Sequence, residues 1–238
     1  MKDTFNSNNQ ITTVIFTGKC YTTNEGLPAH GLIDSGINTD KSVTICVPSD
    51  WIDDTGKFND EISVLENHFK VIKGYTFVTD IDNKVSITGG IIEDRPSNGY
   101  GWDNFTISEL YIDCVRIGKE AFYNGTENCK NITKITIGEN VSEIGPGAFR
   151  DLMFNEDGTI KKGVDLYIDN IESWFNIIFE DVYSNPIRYA KSVYIKSPDG
   201  SYVPIKYYLI IPNNITQLNN YVFTDCTAFE SIVVPENI

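Results

Sequence analysis

One pattern of hydrophobic and polar positions recurs along the chain, and its clearest copy covers residues 132–149. Apolar and polar residues alternate over 132–137, which predicts a short strand because successive side chains of a strand point to opposite faces. A polar turn follows, then a shorter apolar step at 141–144, and then the pair Ala148 and Phe149. The predicted order is therefore strand, turn, short second strand and aromatic anchor.

The same pattern occurs again at 115–129 and at 215–235. A pattern that repeats every 20 to 50 residues or so indicates a stacked repeat architecture. A single strand cannot bury its apolar face alone, so stacked turns are expected to share one continuous core and one ladder of phenylalanines. The predicted core residues are Ile135, Ile137, Leu166, Ile168, Val193, Ile195, Leu209 and Ile211, and the predicted ladder is Phe122, Phe149 and Phe223.

The N-terminal part shows less regular patterning. β-Branched runs predict strands at 11–17 and 42–47, and apolar residues at helical spacing predict one helix at about 60–73. Two further strands, 75–79 and 84–88, are expected to form a hairpin through a turn at 82–83. A polar loop with glycine and proline follows at 93–103, and it is the predicted boundary between the two parts of the chain.

These elements predict a repeat solenoid that is rich in β-strands and has short helical or irregular return segments. Residues 1–105 are expected to form a divergent, irregular N-terminal segment with the one helix. Residues 106–238 are expected to contain the regular repeats. A hairpin at about 192–211 is expected to project from the stack, because the turn residues at 197–200 separate two strand patterns.

The composition places the chain among globular proteins and limits its partners. Apolar residues make up 41% of the 238, which is enough to bury a core. Acidic residues number 33 against 19 basic ones, and the resulting formal charge of -14 repels phosphate backbones and anionic lipid. We therefore expect no nucleic-acid partner. We also expect no membrane insertion, because no apolar run is long enough to cross a bilayer.

Motifs for catalysis, metals and cofactors are absent from the sequence. It has no nucleophile elbow, no phosphate-binding loop and no zinc-protease helix. Its five cysteines include no C-x-x-C pair, and we interpret them as buried thiols. The acidic run at 50–61 lacks the spacing of a calcium loop and is interpreted as a solvated face. The chain is thus predicted to be no enzyme and to bind no metal and no cofactor.

The repeats resemble the BspA-like leucine-rich repeat family of bacterial surface proteins from host-associated anaerobes. The family unit reads roughly Ile-x-x-Ile-Gly-x-x-Ala-Phe-x-x-Cys-x-x-Leu-x-x-Ile-x-Ile-Pro, and it matches 115–137, 141–149 and 215–235. Residues 168–190 are similar to a divergent, hairpin-bearing repeat of that family, and 43–48 to its closing segment. The resemblance covers 41–75 and 110–238 and implies a repeat solenoid of the leucine-rich-repeat type that takes part in adhesion or host interaction.

The positions between the core residues of the predicted strands face outward and form one predicted column. Tyrosine is enriched at interfaces, so this column is the predicted binding surface. The alternative is that its side chains serve only one another as cross-strand pairs. The column consists of Tyr111, Thr136, Tyr167, Tyr194, Ile210 and Val233.

Two functions are compatible with these patterns. The first is a non-enzymatic adhesion module of a surface-exposed protein, which binds a protein or a glycan through the column. The second is a structural subunit of a larger surface or virion assembly, which self-associates through an open edge strand at the C-terminal end. The polar first ten residues contain no leader peptide. A place at the cell surface or outside the cell is thus expected if a leader was removed.

Overall fold

Short parallel strands form most of the regular structure in the computed structural model. It describes residues 13–15, 43–47, 65–67, 70–73, 76–79, 84–92, 94–95, 107–123, 131–150, 152 and 163–238. The chain divides into two units, Met1–Val78 and Thr79–Ile238. The first unit contains β1 (Thr13–Ile15), β2 (Thr44–Val47) and β3 (Lys70–Lys73), and β4 (Thr76–Thr79) spans the division.

The strands of the first unit are more regular than the sequence predicted. They form one parallel sheet in the order β1-β2-β3, with Thr13 beside Thr44 and Thr44 beside Lys70. The predicted helix at 60–73 is wrong in its C-terminal part. Residues 65–67 are helical, but 70–73 form β3, because this segment pairs along its whole length with β2. Pairing with a neighbouring strand outweighs the local helical spacing here.

The second unit is a solenoid in which most turns contribute a longer and a shorter strand. The longer strands of the main sheet are β5 (Lys84–Thr88), β7 (Glu109–Asp113), β9 (Lys134–Ile137), β11 (Val164–Ile168) and β13 (Ala190–Lys196). The shorter strands are β6 (Ile91–Ile92), β8 (Arg116–Ile117), β10 (Glu143–Ile144) and β12 (Ile178–Phe179). All neighbours within each of these two sets pair in parallel.

The register of the main sheet explains its core. Lys84 pairs with Glu109 and Glu109 with Lys134, a step of 25 residues each time. The parallel register places apolar side chains in rows on the inner face, and one such row is Val85, Leu110, Ile135, Leu166 and Val193, all buried. The predicted core residues are confirmed as buried apart from Ile195, which is half-buried.

The repeats begin earlier than the predicted boundary near residue 105. β5 lies within 84–88, and it already pairs with β7 in the register of the later turns. The division between the units also lies earlier, at Val78. The strands predicted at 75–79 and 84–88 are present, whereas their predicted turn lies outside the described residues.

Aromatic side chains stack behind the shorter strands. Phe122 and Phe149 are parallel, with ring centroids 5.6 Å apart, as the predicted ladder requires. Phe223 instead contacts Phe175, at 5.8 Å. Phe175 belongs to helix α1 (Ile171–Asn176), which begins because the Asn170 side chain accepts hydrogen bonds from the backbone N–H groups of Glu172 and Ser173. A 3-10 helix at Pro186–Tyr189 precedes β13.

The predicted projecting hairpin at 192–211 needs correction. Its strands are β13 and β14 (Tyr202–Ile205), and β14 pairs antiparallel along β13 as an edge of the main sheet rather than projecting from it. The pattern predicted as one strand from 202 to 211 contains two strands. The second, β15 (Tyr208–Ile210), leaves the main sheet and pairs in parallel with β16 (Ser231–Val233). The edge of β13 is already occupied by β14, so β15 cannot pair there.

Candidate functional site

The predicted outward column is divided between two sheets. Across β7, β9, β11 and β13 the register aligns four of its members into one row, which we name the tyrosine row: Tyr111, Thr136, Tyr167 and Tyr194. The other two members, Ile210 and Val233, are paired with each other on β15 and β16. The sequence therefore identified both groups but predicted one column where the structure has two surfaces.

The tyrosine row is closely packed within itself. The rings of Tyr167 and Tyr194 are stacked with centroids 4.4 Å apart and an interplanar angle of 7°. Lys134 Nζ lies 4.6 Å from the Tyr167 ring centroid, and it comes from the strand on the opposite side of Tyr167. Thr136 is only 6% exposed although it faces outward, because it lies between Tyr111 and Tyr167 in the row. The cross-strand pairing considered as an alternative is thus present for Tyr167 and Tyr194.

Asp169 organises one end of this surface. Its carboxylate accepts a hydrogen bond from the Tyr111 hydroxyl at 3.4 Å and another from the Tyr202 hydroxyl. Lys196 Nζ lies 3.5 Å from the same carboxylate, and the Asp169 side chain is only 10% exposed. The Tyr202 ring also meets the Tyr167 ring edge-on at 4.9 Å. These contacts fasten β14 onto the sheet, and neither Asp169 nor Tyr202 was predicted as part of the site.

The titration of the two phenols reflects this environment. Burial, and then the negative charges of Asp113 and Asp169, raise the pKa of Tyr111 to about 12. Burial and the hydrogen bond to Asp169 also raise the pKa of Tyr202 above its ordinary value. Both hydroxyls are therefore neutral donors over the physiological pH range.

A ladder of alternating charges lies beside the tyrosine row on the same face. Glu109 bridges two lysines, with Lys84 Nζ at 3.3 Å and Lys134 Nζ at 3.2 Å. Burial pushes the pKa of Glu109 upward, but the hydrogen bonds and charges of Lys134 and Lys84 outweigh it, so this pKa is lowered. Further along, Lys191 Nζ lies 3.3 Å from Asp165. The ladder is partly exposed, so each pair contributes little to stability but the ladder fixes the side chains around the row.

On the other flank of the row, a carboxylate fills the space that the side chain of a non-glycine residue would need. Asp113 accepts hydrogen bonds from the backbone N–H and the side-chain amide of Asn140, both at 2.9 Å. Its carboxylate covers Gly138, where a Cβ would lie only 2.2 Å from Asp113 Oδ1. A glycine is therefore required at 138 for the packing of the neighbouring turn.

The surface on β15 and β16 has the opposite character. Its outward residues, named here the terminal face, are Tyr208, Ile210, Ser231 and Val233. Tyr208 is 56% exposed, Ile210 58% and Val233 47%, whereas the inward Leu209 is 4% exposed. None of the three large side chains has an aromatic or ionic contact with a described residue. This surface is apolar and exposed. Tyr208 was not among the predicted site residues, although the alternation that places Ile210 outward places Tyr208 outward as well.

Other sequence-predicted features lie partly outside the described residues. The acidic run at 50–61 lies outside them, as do Cys20 and Cys129. Cys46 and Cys114 are buried, and Cys226 is half-buried. Burial raises the pKa of the Cys114 thiol to about 12, which makes it a poor nucleophile. Within the described part of the chain, no three His, Cys, Asp or Glu side chains group as metal ligands, and no helix there has the length and apolar character needed to span a bilayer.

Comparison with known proteins agrees with the repeat architecture. A family model described as the BspA type leucine rich repeat region matches residues 61–156, 93–173 and 204–238, with six copies. A solved structure of a leucine rich cell surface protein from Faecalibacterium prausnitzii A2-165 is 17% identical; the match covers 69% of this chain and 42% of that chain, with a TM-score of 0.26. The chain thus spans less than half the length of that protein. The curated proteins contain no match. Because the family model matches more than half of the sequence, the chain belongs to the BspA type leucine-rich repeat family.

Proposed function

We propose that this chain is a non-enzymatic binding module that holds a protein partner on the tyrosine row. The observation that carries the proposal is the alignment of Tyr111, Thr136, Tyr167 and Tyr194 in one register across four adjacent parallel strands. Such a row offers aromatic contact area on a rigid sheet. Rigid side chains lose little conformational freedom on binding, so the row can contact a partner at a low entropic cost.

The hydroxyls in the row supply polar contacts for a partner. Tyr167 and Tyr194 are fixed by their stack, and no described residue hydrogen-bonds to either hydroxyl. The hydroxyls of Tyr111 and Tyr202, by contrast, are bound to Asp169. The two fixed phenol hydroxyls are therefore available both to donate and to accept a hydrogen bond. Backbone amides of a protein partner match this capacity.

A protein partner fits the row better than a glycan does. Sugars are usually held by an open aromatic face, since the ring stacks on the apolar side of the sugar. Here one side of the Tyr167 ring is covered by Tyr194 and the other by the Lys134 ammonium group. Tyr194 is paired with Tyr167 on one side and with Pro204 of β14 on the other, so neighbouring residues flank it on both sides in the sheet. Ring edges and hydroxyls thus remain for contact, as in many protein interfaces.

We place the module at the cell surface, where the family resemblance puts such repeats. The high acidic content supports a protein partner over a nucleic acid, because a chain with a formal charge of -14 repels phosphate. A non-enzymatic role is supported by the family, whose repeats generally serve as binding scaffolds, and by the lack of catalytic motifs in the sequence.

The test applies the labelled chain to a protein array and to a glycan array, and compares it with a Tyr167→Phe/Tyr194→Phe variant. The double variant keeps both rings and removes only the two hydroxyls. We expect binding to protein spots and a loss of about thirtyfold in affinity in the variant, because each of the two net hydrogen bonds contributes about 1 kcal/mol. Tyr183→Phe, which removes an exposed hydroxyl away from the row, is the matched control and should bind like the parent chain. Binding to glycans alone, or protein binding unchanged in the double variant, would contradict the proposal.

The second candidate, a structural subunit that self-associates, is supported by a different observation. Ile232, Val233 and Val234 are all more than one-third exposed, and β16 pairs with β15 alone among the described strands. Self-association there would cover apolar side chains that water now contacts. The tyrosine row plays no part in this second function.

A further inference from the structure

Two phenol rings of the tyrosine row lie in parallel contact. Tyr167 of β11 and Tyr194 of β13 are paired in register on adjacent parallel strands. Their ring centroids are 4.4 Å apart, and the ring planes differ by only 7°. Because paired residues of parallel strands project in the same direction, the hydroxyl-bearing ends of the two rings lie side by side. The ring carbons next to the two hydroxyls are therefore held close to one another.

A stack of two phenols can undergo a reaction that the stack of Phe122 and Phe149 cannot. A one-electron oxidant removes an electron from a phenol, which releases its hydroxyl proton and becomes a neutral radical. Two such radicals in contact form a carbon–carbon bond between the ring carbons next to their oxygens. Each bonded carbon then passes its hydrogen to its ring oxygen, so both hydroxyls are restored. Two electrons and two protons leave in total, and one hydrogen peroxide molecule takes them up to form two water molecules.

The surroundings of Tyr167 favour coupling to Tyr194 over other partners. Lys134 Nζ lies 4.6 Å from the Tyr167 ring centroid and comes from β9, on the side of Tyr167 away from Tyr194. Tyr202 also contacts Tyr167, at 4.9 Å, but its ring is turned by 85°. In that edge-on contact the carbons next to the two hydroxyls do not lie side by side. Tyr194 is thus the phenol whose orientation fits the new bond.

The exposure and protonation of the stack also suit this reaction. Tyr167 and Tyr194 are both half-buried on the outer face of the sheet, so a small oxidant can reach them. Burial raises the pKa of Tyr167 above its ordinary value, and this phenol therefore carries its proton at neutral pH. The proton that it loses on oxidation passes to water. The new bond is about 1.5 Å long, so the rings must tilt toward each other, and the exposed side of the row leaves room for this tilt.

We propose that Tyr167 and Tyr194 are a site of oxidative cross-linking, at which a one-electron oxidant joins β11 and β13 through a bond between the two rings. The link closes the segment 167–194, which contains helix α1 and the 3-10 helix before β13. A cross-link of this kind restricts the unfolded chain, so the linked protein is expected to unfold at a higher urea concentration. The proposal goes beyond the binding function and does not rest on it, because the reaction requires no partner.

Oxidation of the dilute full chain with a peroxidase and hydrogen peroxide tests the proposal. The monomer is isolated by size-exclusion chromatography, because links between molecules report on exposed tyrosines instead. We expect the monomer to show the fluorescence of linked tyrosines and a mass lower by two hydrogen atoms. Trypsin should release peptide 163–188 joined to peptide 192–196, whose single tyrosine is Tyr194. Tandem mass spectrometry then assigns the other end of the link to Tyr167 rather than to Tyr183.

Variants and an unfolded control test the role of the stack. Tyr194→Phe keeps the ring but removes the phenol that forms the radical, so the linked monomer should be lost. Tyr183→Phe removes an exposed phenol away from the stack and is the matched control, which should give as much linked monomer as the parent chain. Circular dichroism checks that both variants are folded. Oxidation of the parent chain in urea should spread the links over several tyrosines, because the stack is then absent.

Three results would overturn the proposal. The first is a link from peptide 163–188 to peptide 197–206, which contains Tyr202, because the edge contact would then determine the coupling. The second is an undiminished amount of linked monomer in Tyr194→Phe. The third is a parent monomer without a link under conditions that join separate molecules through their tyrosines. Partner binding is measured on the chain before oxidation, so a failure here is distinguishable from a failure of the proposed binding function.

Discussion

The tyrosine row and the terminal face occupy equivalent outward positions of the same solenoid, yet they differ in how their side chains are used. In the row, Tyr167 stacks on Tyr194, Tyr111 donates to Asp169, and the flanking charges pair with one another. On the terminal face, Tyr208 and Ile210 contact mainly water. The outward position of a repeat therefore does not determine what its side chain does.

The difference shows that stability and recognition are distributed unequally along the repeats. A side chain that already stacks and hydrogen-bonds stabilises the folded chain, and a partner gains only its remaining edges and hydroxyls. A side chain without such contacts adds little to folding, and a partner gains the full burial of its apolar surface. Variants can test this contrast directly.

The largest effect is expected at Gly138 beside the tyrosine row. We expect Gly138→Ala to lower the free energy of unfolding by about 2 to 3 kcal/mol, because a Cβ there would overlap the Asp113 side chain. Gly200→Ala is the control: its φ of +86° favours glycine, but its Cβ would have no neighbour within 4 Å, so only the backbone cost of about 1 kcal/mol remains. Urea denaturation measures both. An equal loss in the two variants would show that the space over residue 138 is not restrictive.

A smaller effect compares the two surfaces residue for residue. Tyr167→Ala should cost about 2 kcal/mol, since it removes the stack with Tyr194 and the edge contact with Tyr202. Ile210→Ala should change the unfolding free energy by less than about 0.5 kcal/mol, because its side chain is 58% exposed. Chemical denaturation at a concentration that keeps the chain monomeric is the appropriate measurement. If both variants lose the same stability, the distinction between the surfaces is wrong.

The smallest effect is a dependence on alkaline pH that belongs to the tyrosine row. The pKa of Tyr111 is about 12 in the folded chain and about 10 when unfolded, so the folded state holds its proton more tightly. The resulting stability is fully present below pH 10 and is lost as the pH rises toward 12. Tyr111→Phe should therefore make the fall in unfolding free energy over this interval less steep.

Ile210→Ala is the control for this titration, because lysines also lose their charge in the same interval and change the stability of every variant. Its slope should equal that of the parent chain. An unchanged slope in Tyr111→Phe would mean that the phenol gains nothing from its position beside Asp169 and Asp113.

Much of the fold was predictable because the alternation of apolar and polar residues within each repeat determines its strands. Alternation over 132–137 predicted β9, and copies of the pattern predicted that neighbouring turns would stack. The same alternation identified Tyr111, Thr136, Tyr167 and Tyr194 as outward residues of one row. The step between paired residues is 25 over the first turns and 31 from Ile135 to Leu166, so alternation rather than a fixed spacing identified the row.

The remaining features depend on contacts between distant residues. Alternation continues through 202–211, and nothing local marks the division into β14 and β15. The division follows from the attachment of Tyr202 to Asp169, 33 residues away, together with pairing along β13. The helix predicted to end at residue 73 failed for a similar reason, since 70–73 are held by β2. In the sequence Asp169 looks like an ordinary turn residue. Its role follows only from its contacts with Tyr111 and Tyr202 in the folded chain.

Pro204 hinders the addition of a further strand to the main sheet next to β14. It lies opposite Tyr194 in the middle of β14 and has no N–H, so the outer side of this strand lacks a donor that a further strand would need. Stacks of parallel strands with open ends can recruit extended chains and form fibrous aggregates. An antiparallel strand that contains proline ends the stack at β14. The chain can thus carry repeated parallel strands with a built-in protection against fibril formation at this edge.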